Sequence, residues 1–125
     1  AQAAIESGWG TSRFFVEANN IFGMWSFNKK NSLKIKAKKS NVYLKKYPDI
    51  LASIEDYYYS INVSWAYKNF RYVRLTTKDS LKLANHLEKY SILRKTYVKR
   101  IKTIIQHNNL TYYDSCRLHP DYIGR

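Results

Sequence analysis

The spacing of apolar positions changes period twice along this chain. Residues 1–7 place Ala3, Ala4 and Ile5 in a short helical run that Ser7 and Gly8 stop, with Gly10 close behind. Thr11 and Ser12 carry hydroxyls able to cap a second helix over residues 12–18, which Asn19 and Asn20 end. Residues 21–27 are too aromatic for a solvent loop. From 28 to 49 the period becomes two: Lys34-Ile35-Lys36-Ala37-Lys38 alternates, as does part of Val42-Tyr43-Leu44-Lys45-Lys46-Tyr47. This predicts a flap of two or three strands ending at Pro48, with its lysines on the solvated face. Helical spacing then returns. Leu51, Ile54, Tyr57, Tyr58 and Ile61 mark one face of a helix over about residues 50–61. Trp65, Tyr67, Phe70, Tyr72 and Val73 mark a short aromatic one. Asp79 or Ser80 caps a third, with Leu81, Leu83, Ala84 and Leu87. Tyr97, Val98, Ile101, Ile104 and Ile105 line a last helix that ends near Asn108 and Asn109. The expectation is a mainly α domain with one small β excursion.

Length and composition narrow the class. A chain of 125 residues is one domain's worth and can bury a core without staples. Apolar residues at 45% and charged residues at 25% exclude a disordered chain. Twelve Tyr and three Trp suit both a core and a ring-lined groove, because each has an apolar body and a polar handle. The net charge of +13 favours polyanionic partners: nucleic acid, anionic lipid or an anionic wall polymer. Charge alone does not choose among them, and a lysine-prone composition gives no single Lys a role. Cys116 is the only cysteine, which excludes an internal disulfide, and no base and orienter stand by it to make a catalytic thiol. His86, His107 and His119 lack metal-ligand spacing and no glycine-rich phosphate loop occurs, so no metal or organic cofactor is expected. No apolar stretch is long enough to span a membrane. The chain opens at Ala1 already reading as helix and without Met, so truncation at the N-terminus is expected, with any export signal outside it.

Glu6 is the one acid in a setting that suggests chemistry. It stands at a helix end among small residues, beside Trp9. Shielding from water disfavours the charged form of a carboxylate and keeps it protonated closer to neutral pH. That is the property required of a general acid in glycosidic cleavage. On these grounds alone a solvated charge is the commoner role for such a Glu.

A resemblance adds to this reading. Ala1-Gln2-Ala3-Ala4-Ile5-Glu6-Ser7-Gly8-Trp9-Gly10-Thr11-Ser12-Arg13, followed by Asn19-Asn20-Ile21-Phe22-Gly23-Met24-Trp25, resembles the signature of glycoside hydrolase family 73, the bacterial β-N-acetylglucosaminidases of the lysozyme superfamily. The Bax-like branch is the most similar. Three later segments resemble that branch in order and spacing: Ser53-Ile54-Glu55-Asp56-Tyr57, then Ser60-Ile61-Asn62-Val63-Ser64-Trp65-Ala66-Tyr67, then Leu87-Glu88-Lys89-Tyr90-Ser91. With Tyr97, Val98 and Ile101 they extend the likeness over about residues 1–110. It implies a lysozyme-like fold with a β flap beside the active-site cleft. It implies hydrolysis of the β-1,4 bond after N-acetylglucosamine in peptidoglycan glycan strands. Glu6 matches the family's catalytic acid, and Tyr90 a cleft Tyr that positions substrate or water. Trp9, Asn20, Phe22, Trp25, Asn62 and Tyr67 become the candidate substrate-binding residues. A monomer acting in the periplasm or outside the cell is expected.

One departure bears on mechanism. Many family members carry a second Glu in the flap, yet no acidic residue lies between Phe27 and Tyr47 here. Asp49 follows Pro48 at a helix entrance, where capping is its expected job. Three explanations stay open: assistance by the substrate's N-acetyl group, water placed by Tyr90, or a non-catalytic wall-binding domain that keeps the fold. Nucleic-acid binding is a more distant alternative. Lysines spread over the flap and every helix instead of one recognition element, and that reading leaves the Glu6 block unexplained.

Overall fold

The computed structural model describes residues 1–28, 30 and 33–122. The chain forms two compact units, one of Gln2–Ser64 and one from Trp65 onward together with Ala1.

The first unit begins with α1 (Gln2–Glu6) and α2 (Arg13–Ala18). The Ser12 hydroxyl accepts the Phe15 N–H, so the expected cap forms, and Asn19 ends α2 in the left-handed region at φ 52°. The flap is an antiparallel pair, β1 (Lys34–Lys36) and β2 (Tyr43–Lys45), in the register Lys34↔Lys45, Ile35↔Leu44, Lys36↔Tyr43. A bridge between Trp25 and Leu44 adds a partial third strand on the far side of β2, closed by Ser26 N–H to Tyr43 O and Lys45 N–H to Met24 O. The part of the expected flap at Lys29, Asn31 and Ser32 lies outside the described residues. Its lysines do not all face solvent as anticipated. Lys34 Nζ lies 4.4 Å from the Tyr43 ring centre, and Lys45 Nζ is 2.7 Å from Asp56 Oδ2. Each contact gives the lysine charge a partner, the Tyr43 ring face for Lys34 and the Asp56 carboxylate for Lys45.

Asp49 caps α3 (Ile50–Val63) by accepting the Ala52 N–H. The stripe α3 buries differs from the one its apolar spacing predicts. Leu51 and Tyr58 are exposed, while Ser53 and Ile61 are buried. Ser53 is wholly buried because its hydroxyl accepts the Ile21 N–H, so a small polar residue sits where the loop backbone comes closest. The buried set of this unit is largely small or polar: Gln2, Ser7, Ala18, Asn20, Ser26 and Ser53 beside Leu44 and Ile61. Hydrogen bonds hold it as much as apolar burial does, and no buried side-chain polar atom among the described residues lacks a partner.

The second unit has an apolar core. It carries α4 (Lys68–Arg74), α5 (Ser80–Ala84) and α6 (Lys95–His107), with short 3-10 turns at Trp65–Tyr67, Glu88–Tyr90, Leu110–Ser115 and Pro120–Tyr122. Asp79 caps α5 through the Leu81 and Lys82 N–H groups, and Asp114 reaches back to accept from the Ser80 N–H and hydroxyl. Along α6, Tyr97, Val98, Ile101 and Ile105 are buried at the expected spacing and pack with Ala84 and Leu87 as the core, Leu87 lying just past α5. The aromatic helix expected at Trp65–Val73 is shorter, since Trp65 lies in the preceding turn, and Trp65 and Tyr72 are exposed. The described residues are mainly helical with one small two-stranded antiparallel sheet, the make-up of a lysozyme-like domain.

Candidate active site

Glu6 is the last residue of α1, half-buried. Behind it the chain makes a tight turn in which Gly8, Trp9 and Gly10 all take positive φ, at 56°, 56° and 81°. Ser7 organises that turn: its buried hydroxyl donates to Ala3 O at 2.6 Å and accepts the Gly10 N–H at 3.0 Å. The left-handed region costs a residue with a Cβ roughly 1–2 kcal/mol. Trp9 bears that strain and is 64% exposed, so the local fold leaves a tryptophan open to solvent just beyond the helix end.

Across from Glu6 runs the loop of residues 20–25. Gly23 takes φ +65°, and a Cβ placed on it would lie 2.7 Å from Glu6 Oε2 and 3.5 Å from Cδ. The backbone of Gly23 is thus the surface on which the Glu6 carboxylate rests. Asn20 sets the position of that loop. Its side-chain amide donates to Met24 O and Lys45 O, and its Oδ1 accepts the Met24 N–H, each at 2.9 Å. None of its surface is exposed. Asn20 is a candidate both for shaping the wall around Glu6 and for binding substrate; with no exposed surface, it holds the wall through these three bonds.

Phe22 stacks on Tyr57 with ring centres 3.9 Å apart and planes 14° from parallel. The Tyr57 hydroxyl in turn donates to Gln2 Oε1, which joins α3 to the start of α1. Trp25 is 51% exposed on the flap side of the loop. Asn62 is on the exposed side of α3 and donates to Tyr58 O. In the second unit Tyr90 stacks on the buried Tyr97 at 5.7 Å and tilts against Tyr67 at 6.1 Å. Lys89 Nζ stands 4.2 Å from the Trp65 ring centre. The first unit therefore gathers Glu6, Trp9, Phe22 and Trp25 around the turn and the 20–25 loop, and the second gathers Tyr67 and Tyr90.

Three features here are not legible in the sequence. Gly23 reads as an ordinary turn glycine until Glu6 is seen against it. An open hollow of about 500 Å³ lies on the flap, lined by Phe27, Asn28, Lys45, Lys46 and Tyr47 among others. And the flap, which has no acid of its own, receives one from α3. Asp56 Oδ2 accepts from Lys45 Nζ at 2.7 Å and from the Tyr47 hydroxyl at 2.5 Å. Burial, and then the bond to Asp56 and its charge, push the Tyr47 hydroxyl above the usual tyrosine range. Among the described residues no group of three His, Cys, Asp or Glu could hold a metal ion, and no helix is long and apolar enough to cross a membrane.

A half-buried carboxylate backed by a glycine loop, with two exposed indoles and a basic flap in the same unit, suits a domain that handles carbohydrate. The comparison with family models agrees: residues 1–110 match the glucosaminidase family described as mannosyl-glycoprotein endo-beta-N-acetylglucosaminidase, and the chain belongs to that family. No curated protein and no solved structure matches it.

Proposed function

We propose that this chain is a peptidoglycan hydrolase that cleaves the β-1,4 bond after N-acetylglucosamine in wall glycan strands, with Glu6 as the general acid. The observation that carries the reading is the seat of Glu6. The carboxylate lies against Gly23 in a wall fixed by Asn20, and exposed Trp9 and Trp25 follow closely on Glu6 and Gly23 in sequence. Glu6 donates its proton to the glycosidic oxygen, the C1–O bond breaks, a water adds its oxygen to C1, and the proton that water releases restores the acid form of Glu6. The rings of Trp9, Phe22 and Trp25 serve the sugar faces, with Asn62 and Tyr67 as further contacts. Tyr90 takes the positioning role that the family resemblance implies. The reaction asks for no metal or organic cofactor, a monomer suffices for it, and the residues form one catalytic domain. The site of action is the periplasm or the cell exterior, where the polymer is found.

A second reading is favoured by one observation. The carboxylate supplied to the flap, Asp56, is already bonded to Lys45 and Tyr47, so it is not disposed as a free base. A wall-binding domain without turnover would carry the same fold. Digestion of purified peptidoglycan by wild type and Glu6→Gln, with mass spectrometry of the new reducing ends, separates the two. Reducing N-acetylglucosamine ends made by wild type alone are expected. Reducing N-acetylmuramic ends would change the bond assigned, equal digestion by both proteins would remove Glu6 as the acid, and pelleting on the wall without products would establish the binder.

A further inference from the structure

We propose that Asp56 is a positioning residue which, from α3, fixes the flap against the wall of the Glu6 site; this rests on the hydrolase reading above. The flap is a pair of three-residue strands, and a two-stranded sheet of that length is marginal without an anchor. Its edge toward the active-site loop is tied by backbone rungs, Lys45 N–H to Met24 O and Ser26 N–H to Tyr43 O, and by the Asn20 amide on Lys45 O. β1 is tied to α2 by Arg13 Nη1 on Lys36 O at 3.1 Å, and the end of β2 is tied to α3 by the Asp56 carboxylate, a single oxygen of which takes both the Lys45 ammonium and the Tyr47 hydroxyl. The chain around Tyr47 is held on its backbone as well, with its N–H on Ala18 O and its carbonyl accepting from the Asn19 side chain. Two side chains from alternate positions of one strand end thus converge on one carboxylate 9 and 11 residues further on.

The convergence reaches the acid through few steps. Lys45 is bonded at its head by Asp56, at its N–H by Met24 and at its carbonyl by Asn20. Met24 follows Gly23, and Gly23 carries the Glu6 carboxylate. Lys45 and Tyr47 also line the flap hollow, so the same anchor sets the shape of that surface. A carboxylate suits this role because hydrogen bonds to an ionised acceptor are about twice as strong as those to a neutral one. The acid missing from the flap sequence is therefore supplied from α3, as a strut for the flap.

The test compares wild type with Asp56→Asn, Asp56→Glu, Lys45→Met and Tyr47→Phe, each in the full chain. Hydrolysis of peptidoglycan should show kcat lowered about tenfold in Asp56→Asn with KM changed less than about threefold, since misplacement at a reacting centre acts on turnover. Asp56→Glu should recover part of the loss. Lys45→Met combined with Asp56→Asn should cost little more than Asp56→Asn alone, because both act on the same Lys45–Asp56 contact. Amide exchange gives a readout independent of turnover: Ser26 and Lys45 should exchange faster in Asp56→Asn while α6 is unchanged. A variant with normal kcat per folded molecule and only a lower Tm would overturn the proposal. Unchanged exchange at the flap amides would overturn it as well, even if wild type proved inactive and the hydrolase reading fell with that result.

Discussion

Glu6 and Gly23 occupy one space: where a side chain at position 23 would begin, the Glu6 carboxylate oxygen already stands, 2.7 Å from the Cβ site. The two residues belong to different segments, one ending α1 and the other turning in the loop before the flap. Their contact makes the loop's conformation and the acid's position a single structural variable.

Gly23→Ala tests this directly. The left-handed φ of +65° costs an alanine about 1–2 kcal/mol, and the new methyl must displace the carboxylate. Thermal denaturation should register the first effect. Peptidoglycan hydrolysis should fall by on the order of a hundredfold, because small displacements of a catalytic group carry such losses. Full activity would show that Glu6 works from another position.

Asn20→Ala should be a stability variant. Three hydrogen bonds vanish from a site with no solvent access: those of the Asn20 side chain with the Met24 N–H, with Met24 O and with Lys45 O, although Met24 O keeps the Lys45 N–H. A loss of about 2–4 kcal/mol in chemical denaturation is expected. A change below about 0.5 kcal/mol would mean that water replaces the amide freely.

Tyr90→Phe keeps the ring that stacks on Tyr97 at 5.7 Å and removes only the hydroxyl. If Tyr90 positions water or substrate, kcat should drop roughly tenfold or more with Tm nearly unchanged. Loss of Tm with unaltered turnover per folded molecule would make its role structural.

Alkaline pH should expose Tyr47. Its proton is held more tightly in the folded chain than in the unfolded one, by burial and by the Asp56 carboxylate. Stability from this source is complete below the ordinary tyrosine pKa of about 10 and is lost as pH rises beyond it, because the unfolded chain then releases a proton that the folded one keeps. Denaturation between about pH 9 and 11 should show a shallower decline for Tyr47→Phe than for wild type. Parallel declines would contradict the shift.

The parts of this molecule that could be read from the sequence are those decided by near neighbours. Ser12, Asp49 and Asp79 cap the helices they precede because a cap bonds within three residues. The stripe of α6 also follows from periodicity, since that helix has one apolar face and one polar face. Periodicity misled on α3, where Leu51 and Tyr58 are exposed. There the buried contact is made by Ser53 through a hydrogen bond, which an apolar pattern does not register. Glu6 was legible as a candidate through its family-like surroundings. Its contact with Gly23, the burial of Asn20 and the reach of Asp56 to Lys45 and Tyr47 depend on how segments return to one another. No local preference encodes that.

The acids of this chain have a collective consequence. Nine Asp and Glu stand against 22 Lys and Arg. Asp49 and Asp79 cap helices, Asp114 holds Ser80, Asp56 braces the flap, and Glu17 pairs with Arg13. These acids each serve the local architecture, but the nine in the chain cannot balance 22 bases, and the chain is left with a net charge of +13. Mobile anions in the surrounding medium have to do that work, and they do it over a Debye length of about 8 Å at physiological ionic strength. In a matrix of fixed negative charge the protein itself becomes the counter-ion. It is then enriched wherever such charge is dense, and released as competing salt rises.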